Sequence, residues 1–257
     1  MRESRRSGLL VVVVLAVFGA GCAQLARFER VEICSVARPA AGSAYANLAA
    51  AVDGAADGET LVVTGRCMGA TRIVGPRTLT ITGKRSHGAA ATLDGSGLDV
   101  PLLYIEGDVR ITLNSITLTD AANSAIRING DPTEMFPFVP TVDLNGVTIA
   151  GNVNTSQFGG GGGISNTGGR LHLNRGTTIA RNHAFNGGGV WTHGIGMVVL
   201  SPGARIVQNT ATNAGGGIYV CECFGWNGGL DFAGGIVKHN RAPLGADVYR
   251  DVIDPDG

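Results

Sequence analysis

Five cysteines, at positions 22, 34, 67, 221 and 223, have the most varied chemistry in this 257-residue chain. A cysteine can carry a lipid, form a disulfide or bind a metal ion as its thiolate. Cys22 follows three small residues that come directly after the apolar run Leu9–Phe18, which itself follows several arginines. This order is typical of a bacterial export signal that is cleaved before a lipid-modified cysteine. We therefore predict a signal peptide over residues 1–21 and a lipid on Cys22, with plain cleavage near Ala23 as the alternative.

The other four cysteines form an even set, which in an exported chain predicts disulfide bonds. We expect a bond between Cys34 and Cys67, which would attach the N-terminal segment to the first strand and restrict the unfolded chain. Cys221 and Cys223 are separated by one residue. A local disulfide, two packed thiols and a metal-binding pair all remain open for them, although a zinc site usually has a second cysteine pair.

Three aromatic residues, Trp191, Tyr219 and Tyr249, each directly follow an aliphatic residue in a repeated phrase. Successive side chains of a strand point to opposite faces, so these rings should lie outside when the aliphatic residues point inward. Stacked about 4.8 Å apart, they would form an aromatic strip that suits the flat faces of sugar rings. The alternative is an aromatic ladder that only stabilises adjacent coils.

The composition limits the partners and cofactors. The chain has 20 Lys and Arg, 20 Asp and Glu and a formal net charge of zero, whereas a nucleic-acid-binding protein needs a concentrated cationic face. We therefore predict no nucleic-acid partner. The five histidines share neither a repeat position nor metal-ligand spacing, so no metal site and no cofactor are predicted. Glycine accounts for 41 residues, more than twice the usual share of about 7 %, which indicates a turn-rich β protein.

The chemistry-bearing positions belong to an internal repeat of three phrases. The first phrase alternates apolar and polar residues, and its copies begin 31, 29, 27 and 32 residues apart, at Ile111, Val142, Leu171, Val198 and Leu230. The second phrase is aliphatic-x-x-Asn and ends at Asn152, Asn182, Asn209 and Asn240. The third is a glycine run before an aliphatic residue, with copies at Gly161–Ile164, Gly187–Val190, Gly215–Ile218 and, in degenerate form, Gly245–Val248.

Each phrase has the pattern of a short strand, and one repeat cannot bury its apolar face alone. Winding each repeat into one coil of three strands and stacking the coils solves this problem. The sequence therefore predicts an all-β, single-stranded parallel β-helix with glycine at its corners. The repeated asparagines are either a stacked amide ladder or a row of ligand groups, and we favour the ladder because asparagine tolerates left-handed turns.

Upstream of the repeats, Ser43 is predicted as the N-cap of a helix over residues 44–52. The open end of the first coil would otherwise expose apolar side chains and strand edges, so we interpret this helix as a cap. The predicted organisation is a signal peptide (1–21), an N-terminal tether (22–42) and a parallel β-helix domain (43–253) with its best repeats at 111–250.

The segment from Ile206 to Tyr219 joins the x-x-Asn phrase to Gly-Gly-Gly-Ile. It resembles repeats of chlamydial polymorphic outer-membrane proteins and of other right-handed parallel β-helix proteins with a pectin-lyase-like fold. The resemblance covers residues 43–250 and implies right-handed coils. It does not determine an activity, because that fold occurs in lyases, hydrolases and adhesins alike.

The resemblance also implies two kinds of enzyme site. Lyases of this fold hold Ca²⁺ with acidic residues and use an arginine as base, and polygalacturonases combine three close aspartates with a Gly-His-Gly phrase. This sequence has no Asp-Asp pair, and residues 192–194 read Thr-His-Gly. Asp120, Arg127 and Asp143 are the candidates for a calcium-and-base group. Solvated turn charges explain them equally well.

These observations predict an exported, lipid-anchored or secreted protein of the bacterial cell envelope. Its predicted role is non-catalytic binding of, or adhesion to, a polysaccharide or another extended cell-surface ligand, with a membrane attachment through Cys22. The alternative is a polysaccharide lyase or glycoside hydrolase of pectin-lyase-like fold. A purely structural envelope protein is the third interpretation.

Overall fold

A computed structural model describes residues 33–131, 138–157, 160–222 and 229–251. Two antiparallel strands and a short helix come first: β1 (Ser35–Arg38), β2 (Ser43–Tyr45) and α1 (Leu48–Asp53). After them, the described chain makes seven successive coils with one strand in each of three long sheets.

The strands of the first three coils are β3 (Glu59–Thr64), β4 (Arg66–Met68), β5 (Thr71–Val74), β6 (Arg77–Gly83), β7 (Thr92–Asp94), β8 (Leu103–Glu106), β9 (Val109–Asn114), β10 (Thr117–Thr119) and β11 (Ile126–Asn129). The next two coils contain β12 (Thr141–Asn145), β13 (Thr148–Ala150), β14 (Val153–Asn154), β15 (Ile164–Thr167), β16 (Arg170–Leu173), β17 (Thr178–Ala180), β18 (His183–Asn186) and β19 (Val190–His193). The last two contain β20 (Met197–Leu200), β21 (Arg205–Val207), β22 (Thr210–Ala214), β23 (Ile218–Cys221), β24 (Gly229–Asp231), β25 (Ile236–Lys238) and β26 (Val248–Asp251).

Like strands of successive coils pair in parallel. Sheet 1 stacks β3, β6, β9, β12, β16, β20 and β24; sheet 2 stacks β4, β7, β10, β13, β17, β21 and β25; sheet 3 stacks β5, β8, β11, β15, β19, β23 and β26; and the short sheet 4 stacks β14, β18 and β22. The described chain is therefore an all-β parallel β-solenoid with almost no helix, and its seven coils make about six turns from the first strand of each long sheet to the last. The predicted fold class is confirmed at this level.

The core is built from the inward positions of each strand. In sheet 3, Ile126, Ile164, Val190 and Ile218 follow one another in register and are fully buried, and Val248 continues the stack half-buried. The alternation of buried and exposed residues along a strand places each aliphatic residue inside. The glycine phrases align because their aliphatic residues share this interior stack.

The repeated asparagines form a buried ladder at the corner after sheet 2. Asn152, Asn182 and Asn209 each donate from the side-chain amide to the side-chain oxygen of the asparagine one coil further on, at 2.9–3.0 Å, and Asn240 ends the series. Each amide also donates to a backbone carbonyl of the preceding coil. These bonds satisfy the buried amides within the protein, which confirms the structural ladder.

The N-terminal residues join sheet 1. Strand β1 pairs antiparallel with β3 and lies within the segment interpreted as a tether, so this part of residues 22–42 is hydrogen-bonded to the solenoid. Helix α1 begins later than predicted, because Asn47 is its N-cap and accepts from the backbone of Ala50 at 2.8 Å. Ser43 instead begins β2, where pairing with β1 uses its backbone. A capping role for α1 stays a prediction.

The predicted disulfide is present between Cys34 and Cys67, whose Cα atoms are 4.6 Å apart. Cys221 is also disulfide-bonded, and its partner lies outside the described residues. The predicted signal peptide, Cys22 and Cys223 lie outside the described residues as well. Within the part of the chain that the structure describes, no helix has the length and apolarity needed to cross a membrane.

Candidate functional site

One register position of sheet 3 carries large side chains in six of the seven coils. The second residue of each strand faces outward, and its seven occupants, in coil order, are Arg72, Tyr104, Arg127, Ser165, Trp191, Tyr219 and Tyr249. We call these seven residues the outer row. Six of the seven are aromatic or arginine, and neighbours in a sheet are about 4.8 Å apart. The outer row therefore aligns rings and guanidinium groups along the coils, on both sides of the small, buried Ser165.

The predicted aromatic strip occupies the C-terminal part of the outer row. The rings of Tyr219 and Tyr249 stack with centroids 5.5 Å apart, and Trp191 stacks on His193 at 5.2 Å with an interplanar angle of 8°. Trp191 and Tyr249 are half-buried. Partial burial lowers the pKa of His193 below its usual value of 6.5, so its ring is neutral at pH 7.

Tyr219 is less accessible than the sequence suggested. Only 6 % of its surface is exposed, because it packs with Ala214 and Cys221 in a small cluster outside the main core. Its hydroxyl donates to the carboxylate of Asp251, and burial with this contact raises the pKa of Tyr219. Tyr219 therefore supports the rings beside it, and the accessible aromatic surface in this part of the row belongs to Trp191 and Tyr249.

The N-terminal part of the outer row is a connected polar and aromatic group that the sequence analysis missed. Arg72 forms a 2.7 Å ion pair with Glu106 and lies over the Tyr104 ring at 5.2 Å. Tyr104 Oη and Asn129 Nδ2 also donate to Glu106, at 3.2 and 2.9 Å. The Arg72 hydrogen bond is the main cause of the lowered pKa of Glu106, which remains a carboxylate at neutral pH.

A surface cleft of about 450 Å³ opens beside this group. Arg72 and Tyr104 form one part of its wall, and Ala70, Thr71, Val100 and Pro101 form the rest. One aromatic face, one cation and several apolar atoms surround the space, which is a common composition for a ligand-binding cleft. The sequence signal was the second residue of the Thr-Arg-Ile-Val, Leu-Tyr-Ile-Glu and Ile-Arg-Ile-Asn phrases at 71–74, 103–106 and 126–129. The first two of these phrases precede the clear repeats, which begin at Ile111.

The residues proposed for a calcium-and-base group do not come together. Asp120 lies at the corner after sheet 2 and pairs with Arg66 at 3.2 Å. Asp143 is on sheet 1 and contacts His172 Nδ1 at 2.7 Å, whereas Arg127 is on sheet 3. Among the described residues, no group of three or more His, Cys, Asp and Glu side chains could hold a metal ion. The structure thus separates these three candidates onto different faces.

The described chain is a parallel β-solenoid, and the outward side of its sheet 3 carries the outer row. Comparison with protein-family models finds no match, and comparisons with curated proteins and with solved structures find none either. The resemblance to chlamydial polymorphic outer-membrane proteins and to the pectin-lyase-like fold therefore stays a prediction that rests on the repeat motif.

Proposed function

We propose that this chain is an exported, non-catalytic binding protein of the bacterial cell envelope, anchored through a lipid on Cys22, that holds a polysaccharide along the outer row. The proposal includes right-handed coils of the pectin-lyase-like type and a capping role for α1. The observation that carries it is the register of the outer row, in which six of seven coils carry an aromatic or arginine side chain and five of these side chains are half-buried or exposed.

The chemistry of the outer row suits a carbohydrate polymer. Aromatic faces bury the apolar faces of sugar rings, and arginine, asparagine and carboxylate groups exchange hydrogen bonds with hydroxyls. Trp191 and Tyr104 lie three coils apart, about 14 Å at the usual strand spacing. A ligand that contacts both must be extended along the solenoid.

The acidic groups beside the outer row support binding rather than hydrolysis. Glu106 accepts from Arg72, Tyr104 and Asn129, and its lowered pKa makes it a poor proton donor at neutral pH. Glycoside hydrolysis generally requires a second carboxyl group within reach across the scissile bond. The residue that pairs with Glu106 in the next coil is Asn129, which has no carboxyl group.

Binding assays with a panel of polysaccharides test the proposal. Trp191→Ala should weaken binding by about 1–2 kcal/mol, which is about five- to thirtyfold, because one ring contact is lost. Tyr104→Ala should weaken binding of the same polymer, since an extended ligand spans both positions. The matched control is Phe232→Ala, which removes an exposed aromatic side chain outside the row and should leave affinity unchanged.

Two outcomes would contradict the proposal. If Trp191→Ala lowers the melting temperature and leaves every affinity unchanged, the row is only a structural ladder. If the wild-type protein shortens the polymer, the lyase or hydrolase alternative is correct.

The lipid anchor has its own test: Cys22→Ser in the full chain should release the protein from bacterial membranes and remove the lipid mass. Unchanged partitioning and mass would contradict the anchor.

A further inference from the structure

Two permanent cations, Arg181 and Arg241, line the corner between sheets 2 and 4 in the last three coils, and Lys238 ends the sheet 2 strand that leads into this corner. All three side chains are exposed. Within the described residues, none of the three forms an ion pair. We call this group, together with Gln208 and His239, the basic corner. Water and salt weaken the repulsion between these exposed cations, and a bound anion would remove what is left of it.

The stacking of the coils aligns these side chains. Arg181, Gln208 and His239 each directly precede a ladder asparagine, so they occupy the same corner position in successive coils. Arg241 directly follows the last ladder asparagine, and its backbone forms a parallel β-bridge with Thr210 in the preceding coil. Arg181, Gln208, Thr210, His239 and Arg241 together line a cavity of about 360 Å³.

The backbone at this corner is left-handed in each of the last three coils, although the residue there is not glycine. Arg181, Gln208 and His239 have positive φ angles of 55°, 58° and 60°, and the same position one coil earlier is Gly151 with φ 74°. Glycine adopts this conformation without steric cost, whereas residues with a Cβ do not. Strained positions of this kind concentrate at ligand-binding sites. The corner keeps long polar residues where glycine is the easier choice.

Two acidic groups of this row and of the last coil already have partners. Asp120 occupies the corner position two coils before Arg181 and pairs with Arg66 at 3.2 Å. Asp247 accepts from the backbone and side-chain nitrogens of Asn240, at 3.0 and 2.9 Å. Neither carboxylate neutralises the basic corner.

We infer that the basic corner binds carboxylate or sulfate groups of an acidic polysaccharide. A guanidinium group binds either anion through two parallel hydrogen bonds, and Gln208 and Thr210 can hydrogen-bond to neighbouring hydroxyls. Arg181 and Arg241 belong to coils about 10 Å apart along the solenoid axis. A linear polymer with repeated charges can reach both at once. The site lies on a different face from the outer row and does not depend on the function proposed for that row.

The test compares dextran sulfate and alginate, which carry sulfate and carboxylate groups, with uncharged dextran, using the mature full chain at fixed low salt. Arg181→Gln combined with Arg241→Gln should weaken binding of at least one acidic polymer by about tenfold or more, since charged hydrogen bonds are lost. The matched control combines Arg110→Gln with Arg170→Gln. These two arginines are also exposed and also lie two coils apart, on sheet 1. The control should change affinity less than about threefold, and uncharged dextran should not compete.

Arg181→Gly separates binding from folding. Because glycine relieves the strained backbone, this variant should have a raised melting temperature and a weakened affinity for the acidic polymer. A lowered melting temperature would show that Arg181 is needed for the fold and would overturn the inference.

Four other outcomes decide the matter. An equal loss in the sheet 1 control would mean diffuse charge attraction and would reject the site. Loss of acidic-polymer binding in Trp191→Ala alone would assign the polymer to the outer row and reject the basic corner. Loss of acidic-polymer binding only in the double variant of Arg181 and Arg241 would support the basic corner, independently of any binding at the outer row. Binding of phosphatidylglycerol vesicles that exceeds polymer binding and requires the pair would assign the corner to a membrane surface instead.

Discussion

The side-chain amide of Asn182 and its backbone N–H both donate 3.0 Å hydrogen bonds to the side-chain oxygen of Asn209. Asn209 repeats this arrangement toward Asn240, at 3.0 and 2.9 Å. All three side chains are buried. The corner of each coil is thus held by the side chain of the next coil, which couples neighbouring coils through groups that have no access to water.

We predict that Asn209→Ala destabilises the protein by about 3 kcal/mol or more, because two buried donors of Asn182 lose their acceptor. The control is Asn145→Ala, which removes a half-buried member of the outer series Asn114, Asn145 and Asn174 and should cost less than about 1 kcal/mol, since water can replace its bonds. The denaturant midpoint measures both effects. Equal losses would contradict the special role of the inner ladder.

The disulfide between Cys34 and Cys67 joins residues 33 apart in sequence. Replacing both by serine should lower the free energy of unfolding by about 3–4 kcal/mol, because the unfolded chain regains the entropy of a loop of this size. Denaturant unfolding of the double variant and of the wild type measures the difference. Peptide mapping without reductant should recover the linked pair, and a free thiol at either position in protein from its native compartment would overturn the pairing.

Gly188 lies where the backbones of two coils approach closely. A Cβ added there would collide with the backbone oxygens of Thr210 and Gly216, which cannot move aside as a side chain could. We expect Gly188→Ala to destabilise by at least about 2 kcal/mol. Gly194 has a φ of 67° and open space around it, so Gly194→Ala should cost only the backbone strain of about 1 kcal/mol. Similar melting temperatures for the two variants would contradict this packing.

Glu59 gives stability a defined pH dependence. Arg38 donates two hydrogen bonds to its carboxylate, at 2.9 and 2.7 Å, and with the Ala56 backbone N–H holds the pKa of Glu59 below its usual 4.5. The folded state therefore favours the ionised form, and this contribution is complete above the unfolded pKa and lost as pH falls through the folded pKa.

We expect the stability of Glu59→Gln to fall less than that of the wild type between about pH 6 and pH 3, as followed by denaturant unfolding at each pH. Asp99→Asn is the control, since this exposed carboxylate accepts no side-chain hydrogen bond among the described residues. A pH profile that changes equally in both variants would rule out Glu59 as the cause.

The repeat made the parallel solenoid predictable from residue 111 onward. Val190 and Ile218 are buried in one stack, as their position after the glycine runs indicated, because alternation along a strand reports directly which side chains point inward. The start of α1 could not be read in the same way. Ser43 and Asn47 are both good N-caps, and only the pairing of β2 with β1 left the helix to begin after Asn47.

The exposure of Tyr219 shows a second limit. Its outward register followed from the pattern, but its burial depends on Ala214, Cys221 and the two neighbouring aromatic rings. Which side chains cover an outward ring depends on how neighbouring coils pack, and a local pattern does not contain that information.

The amino-acid sequence by itself determined the periodic features of this protein: the repeat, the inward aliphatic stack, the ladder asparagines and the pairing of Cys34 with Cys67. Only the tertiary structure decided which distant residues share a surface, as it does for Arg181 and Arg241 at the basic corner. The physical reason is that coils differ in length, from 20 residues between Glu59 and Leu79 to 38 residues between Ile126 and Ile164, which are paired positions of neighbouring coils. Side chains therefore align through the backbone hydrogen bonds between coils, and spacing along the chain does not specify those bonds.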